Sequence, residues 1–435
     1  RGIEQSDKAS LNLKLKKGKM DFSGSFNCGG GMFDDNKPAF DQNANILGIT
    51  KIYKSFITLN YNNVGHNYSP IDYYGFNFSM EELKEDNFYA RKLISETHFS
   101  NLLDDNRGNI NNQVFGSYNS AVQIGERLRV RANLFYLQDK ITSNQILENQ
   151  YQINGQEFTT IDNTDITKKP QQDRADAEIK WNTSESSLLE YNFRARNENI
   201  GTPSRISQNQ EEEYESFLET KDFYLKQNLL FTKKLSKKEA LQFSFFHSYN
   251  KLPQEYRISP SQYNGSTEKI TQKSEFTKTY IEGKTTFLGA GNRNKYSFAF
   301  GGNLSGFPFK SNLFDEKNTI SKNIFDYSQK KIFNTGVYNI NRRNWRFSPS
   351  YSICFLNQKL NEKTEGQNET RNDFVFETDL RIKYKLNDIS FFNLGTGISK
   401  HTNTEQYLFL NQVLIDNRTT VIGTCTCTYL NISRL

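Results

Sequence analysis

Residues Arg174 to Arg196 constrain the fold of this chain more than any other stretch. One arm reads Arg174-Ala175-Asp176-Ala177-Glu178-Ile179-Lys180-Trp181 and the other Leu189-Glu190-Tyr191-Asn192-Phe193-Arg194-Ala195-Arg196. The polar link Asn182 to Leu188 is short enough for a hairpin turn. Side chains alternate between the two faces of a strand, so one face holds Ala175, Ala177, Ile179, Trp181, Leu189, Tyr191, Phe193 and Ala195. The other holds Arg174, Asp176, Glu178, Lys180, Glu190, Asn192, Arg194 and Arg196. A soluble sandwich and a membrane barrel would both use such a hairpin. The rest of the chain has to separate them.

The same design recurs along the sequence. Val114 to Tyr136 forms another hairpin turning at Gly125-Glu126, with Arg127, Arg129 and Arg131 on one face. Further pairs near 221–249, 275–305, 328–356 and 371–399 are joined at Leu235–Lys238, Gly289–Arg293, Arg342-Arg343 and Asn387. About fifteen strands of roughly ten to fourteen residues are expected. Short turns on one side alternate with long polar loops on the other, including 63–112 and 139–172. Within the first of these, Met80–Ile94 has the pattern of a short helix. Near the start, β-structure is expected over Met20–Cys28, stopped by Gly29-Gly30-Gly31, and over Phe40–Gly48.

A strand of ~9–11 residues crosses a bilayer when tilted, whereas soluble strands average about 5–6. Seven of the eight prolines (38, 70, 170, 203, 253, 260 and 308) fall in the expected loops, where no ladder donor is lost. Pro349 is the exception and predicts a local break in pairing. Trp181 and Trp345, the only tryptophans, flank short turns, as interfacial indoles do. Closing so many long strands into a barrel removes the edges and turns the charged face toward a lumen. The fold class expected is therefore all-β, an antiparallel up-and-down transmembrane β-barrel.

Composition fits that expectation. Only 35% of residues are hydrophobic, yet 14% are aromatic, almost all Tyr and Phe. No apolar run approaches the ~18–20 residues of a membrane helix, whereas barrel strands hide their apolar residues at alternate positions. Basic and acidic residues, 55 and 49, are intermixed without a basic block, which speaks against nucleic acid. Cys28, Cys354, Cys425 and Cys427 have no disulfide or metal spacing, and the four histidines are scattered. No Gly-x-Ser-x-Gly or His-Glu-x-x-His occurs. His247, between Phe245 and Tyr249, reads as a residue of the apolar face. Neither a catalytic set nor a cofactor is expected.

Ala9-Ser10-Leu11-Asn12-Leu13-Lys14-Leu15-Lys16-Lys17-Gly18, followed by Met20-Asp21-Phe22-Ser23-Gly24-Ser25-Phe26, resembles the plug-to-barrel junction of TonB-dependent receptors. The style is similar to the Bacteroidetes branch. Asn45-Ile46-Leu47-Gly48, Asn60-Tyr61-Asn62-Asn63 and Tyr407-Leu408-Phe409-Leu410-Asn411 resemble segments of its barrels. The resemblance implies a twenty-two-stranded barrel, with residues 1–18 as the last plug strand and linker. It makes residues 19–435 a barrel lacking C-terminal strands, hence an internal piece of a larger receptor. Its implied partners are outer-membrane lipid, a TonB complex acting through a plug outside this chain, and a surface lipoprotein. Energy-coupled uptake of a glycan, peptide or metal chelate is the implied activity, with a passive porin or assembly barrel as the other reading. Loop aromatics Tyr73, Tyr74, Phe76 and Tyr263 offer faces for stacking on a glycan or peptide, but packing among loops is the expected use of any single one, and none is assigned to a ligand.

Overall fold

The computed structural model describes residues 20–71, 73, 88–90, 92–96, 99, 110–153, 156–209, 212–261, 269–316, 318–364, 366, 368–386 and 390–401, with short pieces at 413–414, 420–421 and 429–433. The plug-like strand before Gly18, Tyr74, Phe76, Tyr263, Asn387, Tyr407–Asn411, Cys425 and Cys427 lie outside the described residues. So does most of Met80–Ile94; of its described residues, Phe88 lies in a 3₁₀ turn and 89–90 and 92–94 are irregular.

The strands are β1 (Asp21–Met32), β2 (Pro38–Ile49), β3 (Tyr53–Asn62), β4 (Gln113–Ile124), β5 (Leu128–Gln138), β6 (Ile141–Ile153), β7 (Gln156–Ser184) and β8 (Ser187–Gln208). They continue as β9 (Glu212–Lys234), β10 (Glu239–Ser259), β11 (Ile270–Ala290), β12 (Asn294–Phe314), β13 (Thr319–Arg342), β14 (Trp345–Glu362), β15 (Asn368–Lys385) and β16 (Phe391–His401). Short β17 (Val413–Leu414) and β18 (Thr420–Val421) pair with each other, and β19 (Tyr429–Ser433) pairs with β16. Every pairing is antiparallel and joins neighbours in the chain, apart from β5 with β7 and β16 with β19. Among the described residues, β1 and β19 do not pair with each other, so the sheet has two free edges.

β5 and β6 are two halves of one wall strand. Residues 128–138 pair with the lower part of β7 and 141–153 with its upper part. Counted this way, the sixteen strands β1–β16 occupy fifteen positions in the wall, close to the number read from sequence. Pro170 sits at the seam, where its carbonyl accepts from Asp139 N at 2.9 Å. A strand residue points its N and C=O to the same side, so the missing N–H of Pro170 falls where β7 changes partners.

Strand length departs from expectation. β7 runs for 29 residues, β9 for 23 and β13 for 24. The polar stretch 139–172, expected as a loop, is β6 and the first half of β7. Several expected long loops shrink to turns such as 315–318 between β12 and β13, while 63–112 between β3 and β4 stays long. Gly29 to Gly31 do not end β1 but pair with Asp41, Phe40 and Ala39. The turn of the Arg174–Arg196 hairpin tightens to Glu185-Ser186.

The prolines were misplaced for the same reason. Pro38, Pro170, Pro203, Pro253 and Pro308 lie in strands rather than loops. The ladder tolerates them through local gaps: pairing skips from Ile166↔Ser204 to Lys169↔Gly201 beside Pro203, and from Phe276↔Phe309 to Thr279↔Gly306 beside Pro308. The break expected at Pro349 is present, with pairing skipping from Val337↔Ser350 to Ile340↔Phe347.

Candidate functional site

The register explains the length. In the lower half of the sheet, one outer row runs Leu128, Trp181, Leu189, Phe231, Phe243, Thr285 and Phe300 across successive strands. The next runs Val130, Ile179, Tyr191, Leu229 and Phe245. Several large apolar side chains of this face are solvent-exposed, among them Phe300 at 62% and, further along the second row, Phe355 at 52% and Phe374 at 68%. Trp181 and Trp345 stand at the turn side of this belt, Trp345 packed on Tyr384 at 4.4 Å. His247 sits within the belt on the outer face, opposite Gln227 and Ile281.

Behind the belt on β5–β8 the inner face is charged and paired, as the alternation predicted, while on β13–β15 it carries the apolar cluster Phe333, Cys354 and Val375. Asp176 accepts from Arg174 Nε at 2.8 Å and Arg194 Nε at 2.7 Å. Glu178 meets Arg131 at 3.2 Å and Lys180 at 3.1 Å, and Lys180 reaches Glu190 at 2.7 Å. A hollow of about 290 Å³ on this wall is lined by Arg131, Arg174, Arg194 and Lys226 beside Asp176 and Glu178.

Higher up, both faces reverse. The outer face of β9–β11 now carries ion pairs: Lys251–Glu275 at 3.0 Å, Arg257–Glu255 at 3.2 Å, Lys273–Glu255 at 3.4 Å and Lys221–Glu219 at 3.0 Å. The inner face turns apolar, with Leu252, Phe276, Phe309 and Phe325 forming one row across four strands. An apolar row facing inward needs something to cover it. The cover is supplied by Ala90, Leu93, Ile94 and Phe99 of the chain's own β3–β4 connection.

Ala90 packs into the Leu252–Phe276–Phe309–Phe325 cluster, with Leu93 at its margin. Ile94 joins Leu218, Tyr256, Ile258, Ile270 and Leu313, and Phe99 joins Ile141 and Ile166. Residues of this one segment thus share apolar clusters with wall strands from β6 and β7 to β13 and β14. Asn250 and Gln254 of β10 hold its backbone. Asn250 Oδ1 accepts from Ala90 N at 2.6 Å. Gln254 Oε1 accepts from Leu93 N at 2.7 Å and Ile94 N at 3.1 Å, and its Nε2 donates to Ile94 O at 2.7 Å. Glu96 accepts from Thr202 Oγ1 at 3.1 Å and from Thr220 Oγ1.

Tyr73, one of the loop aromatics with a face for stacking, is used for packing, the use expected of any single one of them. Its hydroxyl donates to Glu198 Oε2 at 2.7 Å and accepts from Gln172 Nε2 at 3.0 Å, while its carbonyl accepts from Lys168 Nζ at 2.9 Å. Tyr89 stacks on Tyr224 at 4.3 Å, with Arg196 lying over both rings. Beside the seam, buried Asp139 accepts from Gln113 Nε2 at 3.0 Å and from the amides of Asn112 and Lys140 at 3.1 and 2.7 Å. Burial outweighs those donors and holds its carboxyl above the usual range.

The sequence reading missed Asn250, Gln254, Gln172 and Glu198, because they lie in stretches taken for loops. It also missed His66, whose Nδ1 lies 3.0 Å from Asp41 Oδ2, an oxygen that accepts from Tyr68 OH at 2.9 Å. Burial, then the Asp41 carboxylate, pushes the Tyr68 phenol up. Among the described residues, no group of three or more His, Cys, Asp or Glu is placed to hold a metal ion.

No family model matches the chain, and no curated protein matches it in sequence. Among solved structures, the ferric-catecholate import receptor Fiu from E. coli K12 is similar at a TM-score of 0.36 and 8% identity, over 89% of this chain and 71% of that one. The ferric preacinetobactin receptor BauA from Acinetobacter baumannii gives 0.28 at 9% identity, over 94% and 74%. The outer membrane protease OmpT from Escherichia coli gives 0.23 at 11%, over 60% and 96%. Likeness this distant carries no argument about activity or ligand.

Proposed function

We propose that the chain builds the wall of an outer-membrane β-barrel of the TonB-dependent receptor type, which takes up a large nutrient by energy-coupled transport. The observation that carries the membrane part is the reversal of polarity at one level of the sheet. On β10 the outer apolar run goes from Leu241 to Tyr249, and charged Lys251, Glu255 and Arg257 follow on the same face. Eight residue steps of ~3.3 Å, tilted by ~40°, cover roughly 20 Å, near the height of a barrel's lipid-facing band. Water on both sides of the wall would not select exposed Phe300, Phe355 and Phe374 below and ion pairs above.

Transport rests on the resemblance of Ala9–Phe26 to a plug-to-barrel junction, on the Bacteroidetes-like style, and on the charged lower wall, which suits a wet interior. The partners are outer-membrane lipid, a TonB complex reached through a plug, and a surface lipoprotein; the ligand is a glycan, a peptide or a metal chelate. An enzyme would need a nucleophile beside a base, and His66–Asp41 brings only the base pair. A passive porin or assembly barrel remains the second reading, favoured by the same charged wall.

Two measurements test this. Labels at Phe245 and Glu255, each replaced by Cys in a background without native cysteines, are compared in vesicles for quenching by lipid-soluble and water-soluble agents. Lipid contact at 245 and water contact at 255 are expected; equal exposure to water at both ends the membrane reading. Uptake by the full reading frame that ceases without the inner-membrane motor supports the receptor, and uptake that persists supports the porin.

A further inference from the structure

The hydrogen bonds that Asn250 and Gln254 make to Ala90, Leu93 and Ile94 go to main-chain atoms, while Glu96 is held through its carboxylate by Thr202 and Thr220. Gln254 brackets Ile94 from both sides, taking its N–H and giving to its C=O, and Asn250 takes the N–H of Ala90. A side-chain amide used this way imitates the edge of a β-strand, offering a donor and an acceptor to whatever backbone lies beside it. Such contacts read an extended or irregular peptide regardless of sequence. Selectivity comes from the adjoining apolar wells, one accepting a small residue at Ala90 and one an aliphatic residue at Ile94.

The amides are themselves fixed from behind. Gln254 Nε2 also donates to Thr220 Oγ1 at 3.1 Å, and Asn250 Nδ2 donates to Phe223 O at 3.0 Å and to Asp222. Both side chains are almost fully buried with the segment in place, and the contacts to Thr220, Asp222 and Phe223 come from the wall itself. A pre-aimed clamp of this kind is built by the wall strands β9 and β10, and the segment occupying it comes from a connection more than a hundred residues away in sequence, at |i−j| = 160 for Ala90 and Asn250.

We infer that the inner face of β9–β12 is a peptide-binding site, and that residues 88–96 are its resident, exchangeable occupant. The ligand class is a peptide segment carrying a small residue, then aliphatic residues three and four positions on, with an acidic residue two further along to meet Thr202 and Thr220. In a transporter this selects peptide from the nutrient classes named above, and the described residues 88–90 and 92–96 hold the site until a ligand displaces them. The binding claim itself does not depend on the membrane reading.

The test replaces residues 88–96 by a Gly-Ser linker of equal length in the otherwise full chain, in detergent. The probe is a fluorescent synthetic peptide of sequence Phe-Tyr-Ala-Arg-Lys-Leu-Ile-Ser-Glu, followed by anisotropy. Saturable binding to the replaced chain, at least tenfold weaker binding to the unaltered chain, and at least tenfold weakening by Gln254→Ala in the replaced chain are expected. A replaced chain that keeps its β-structure but takes no peptide overturns the proposal, as does binding indifferent to Gln254→Ala. Should the linker chain lose its β-structure, the titration is run on the chain carrying only Ile94→Asp, whose wall is intact. Binding there supports the site, and absence of binding overturns it. Because no bilayer is used, failure here leaves the membrane reading standing, and the reverse.

Discussion

Gln254 and Ile94 form a closed pair, with Oε1 3.1 Å from the Ile94 nitrogen and Nε2 2.7 Å from its carbonyl oxygen. The pair joins a wall strand to the segment that covers it. Replacing Gln254 by Leu keeps the volume but strands three main-chain groups of Leu93 and Ile94 out of water. The cost expected is about 1–3 kcal/mol per buried group left unpaired, partly recovered by local opening. Hydrogen exchange at residues 93 and 94 should speed by at least tenfold while amides of β10 remain protected. Unchanged exchange at 93–94 would show that the clamp does not hold the segment.

Polarity reversal predicts opposite outcomes for substitutions ten residues apart on one face of β10. Phe245→Arg places a cation inside the apolar belt and should lower stability in vesicles by about 2–4 kcal/mol. Glu255→Gln removes an exposed ion-pair partner of Arg257 and Lys273 and should change it by no more than ~1 kcal/mol. Urea titration of vesicle-folded protein reads both. Equal effects would place the boundary elsewhere.

Two glycines on the outer face are covered by tyrosine rings. A Cβ at Gly336 would lie 2.2 Å from the Tyr351 ring and one at Gly289 would lie 2.0 Å from Tyr296, each the direct cross-strand partner. Gly336→Ala must therefore push the Tyr351 ring aside and break its 2.8 Å hydrogen bond to Asn334. A loss of about 1–3 kcal/mol is expected. With Tyr351→Ala already present the same glycine change should cost little, so the double-mutant cycle must be non-additive. Additive losses would mean the ring is not seated on the glycine.

Asp139 sets a pH dependence. Its folded carboxyl titrates above the unfolded value of 3.8 because it is buried, so the folded state holds its proton more tightly. The carboxylate thus costs stability at neutral pH, and the cost is relieved as pH falls through the folded pKa toward 3.8. Asp139→Asn should remove that rise from the pH profile. It retains the acceptor for Asn112 and Lys140 while losing the one for Gln113. A variant profile that rises as the parent's does would assign the titration to another group.

Much of this was legible in the chain. That Ala177, Ile179, Tyr191 and Phe193 share the face opposite Asp176 and Arg194 follows from alternation alone, and the structure adds the register that pairs Ala177 with Phe193 and Ile179 with Tyr191. Period-two alternation is a local property of a strand, and it survives whatever the sheet packs against. The break at Pro349 and the turn before Trp345 are equally local, the first set by a missing donor and the second made by Arg343-Asn344 with Arg343 at a φ of 45°.

What lies across from a face is not local, and there the reading failed. Asn250, Leu252, Gln254, Tyr256 and Ile258 alternate with Lys251, Pro253, Glu255 and Arg257 as regularly as the lower half of β10, but with the opposite phase. Read for lipid, that phase looks like a polar loop containing a proline. It is strand because residues 88–96 cover the inner side and water wets the outer. The sequence by itself determined that the chain is an amphipathic antiparallel sheet, since backbone geometry ties side-chain alternation to strand. Which face is wet, where along each strand that changes, and which segment fills the interior were decided by tertiary structure, because burial depends on neighbours more than a hundred residues distant.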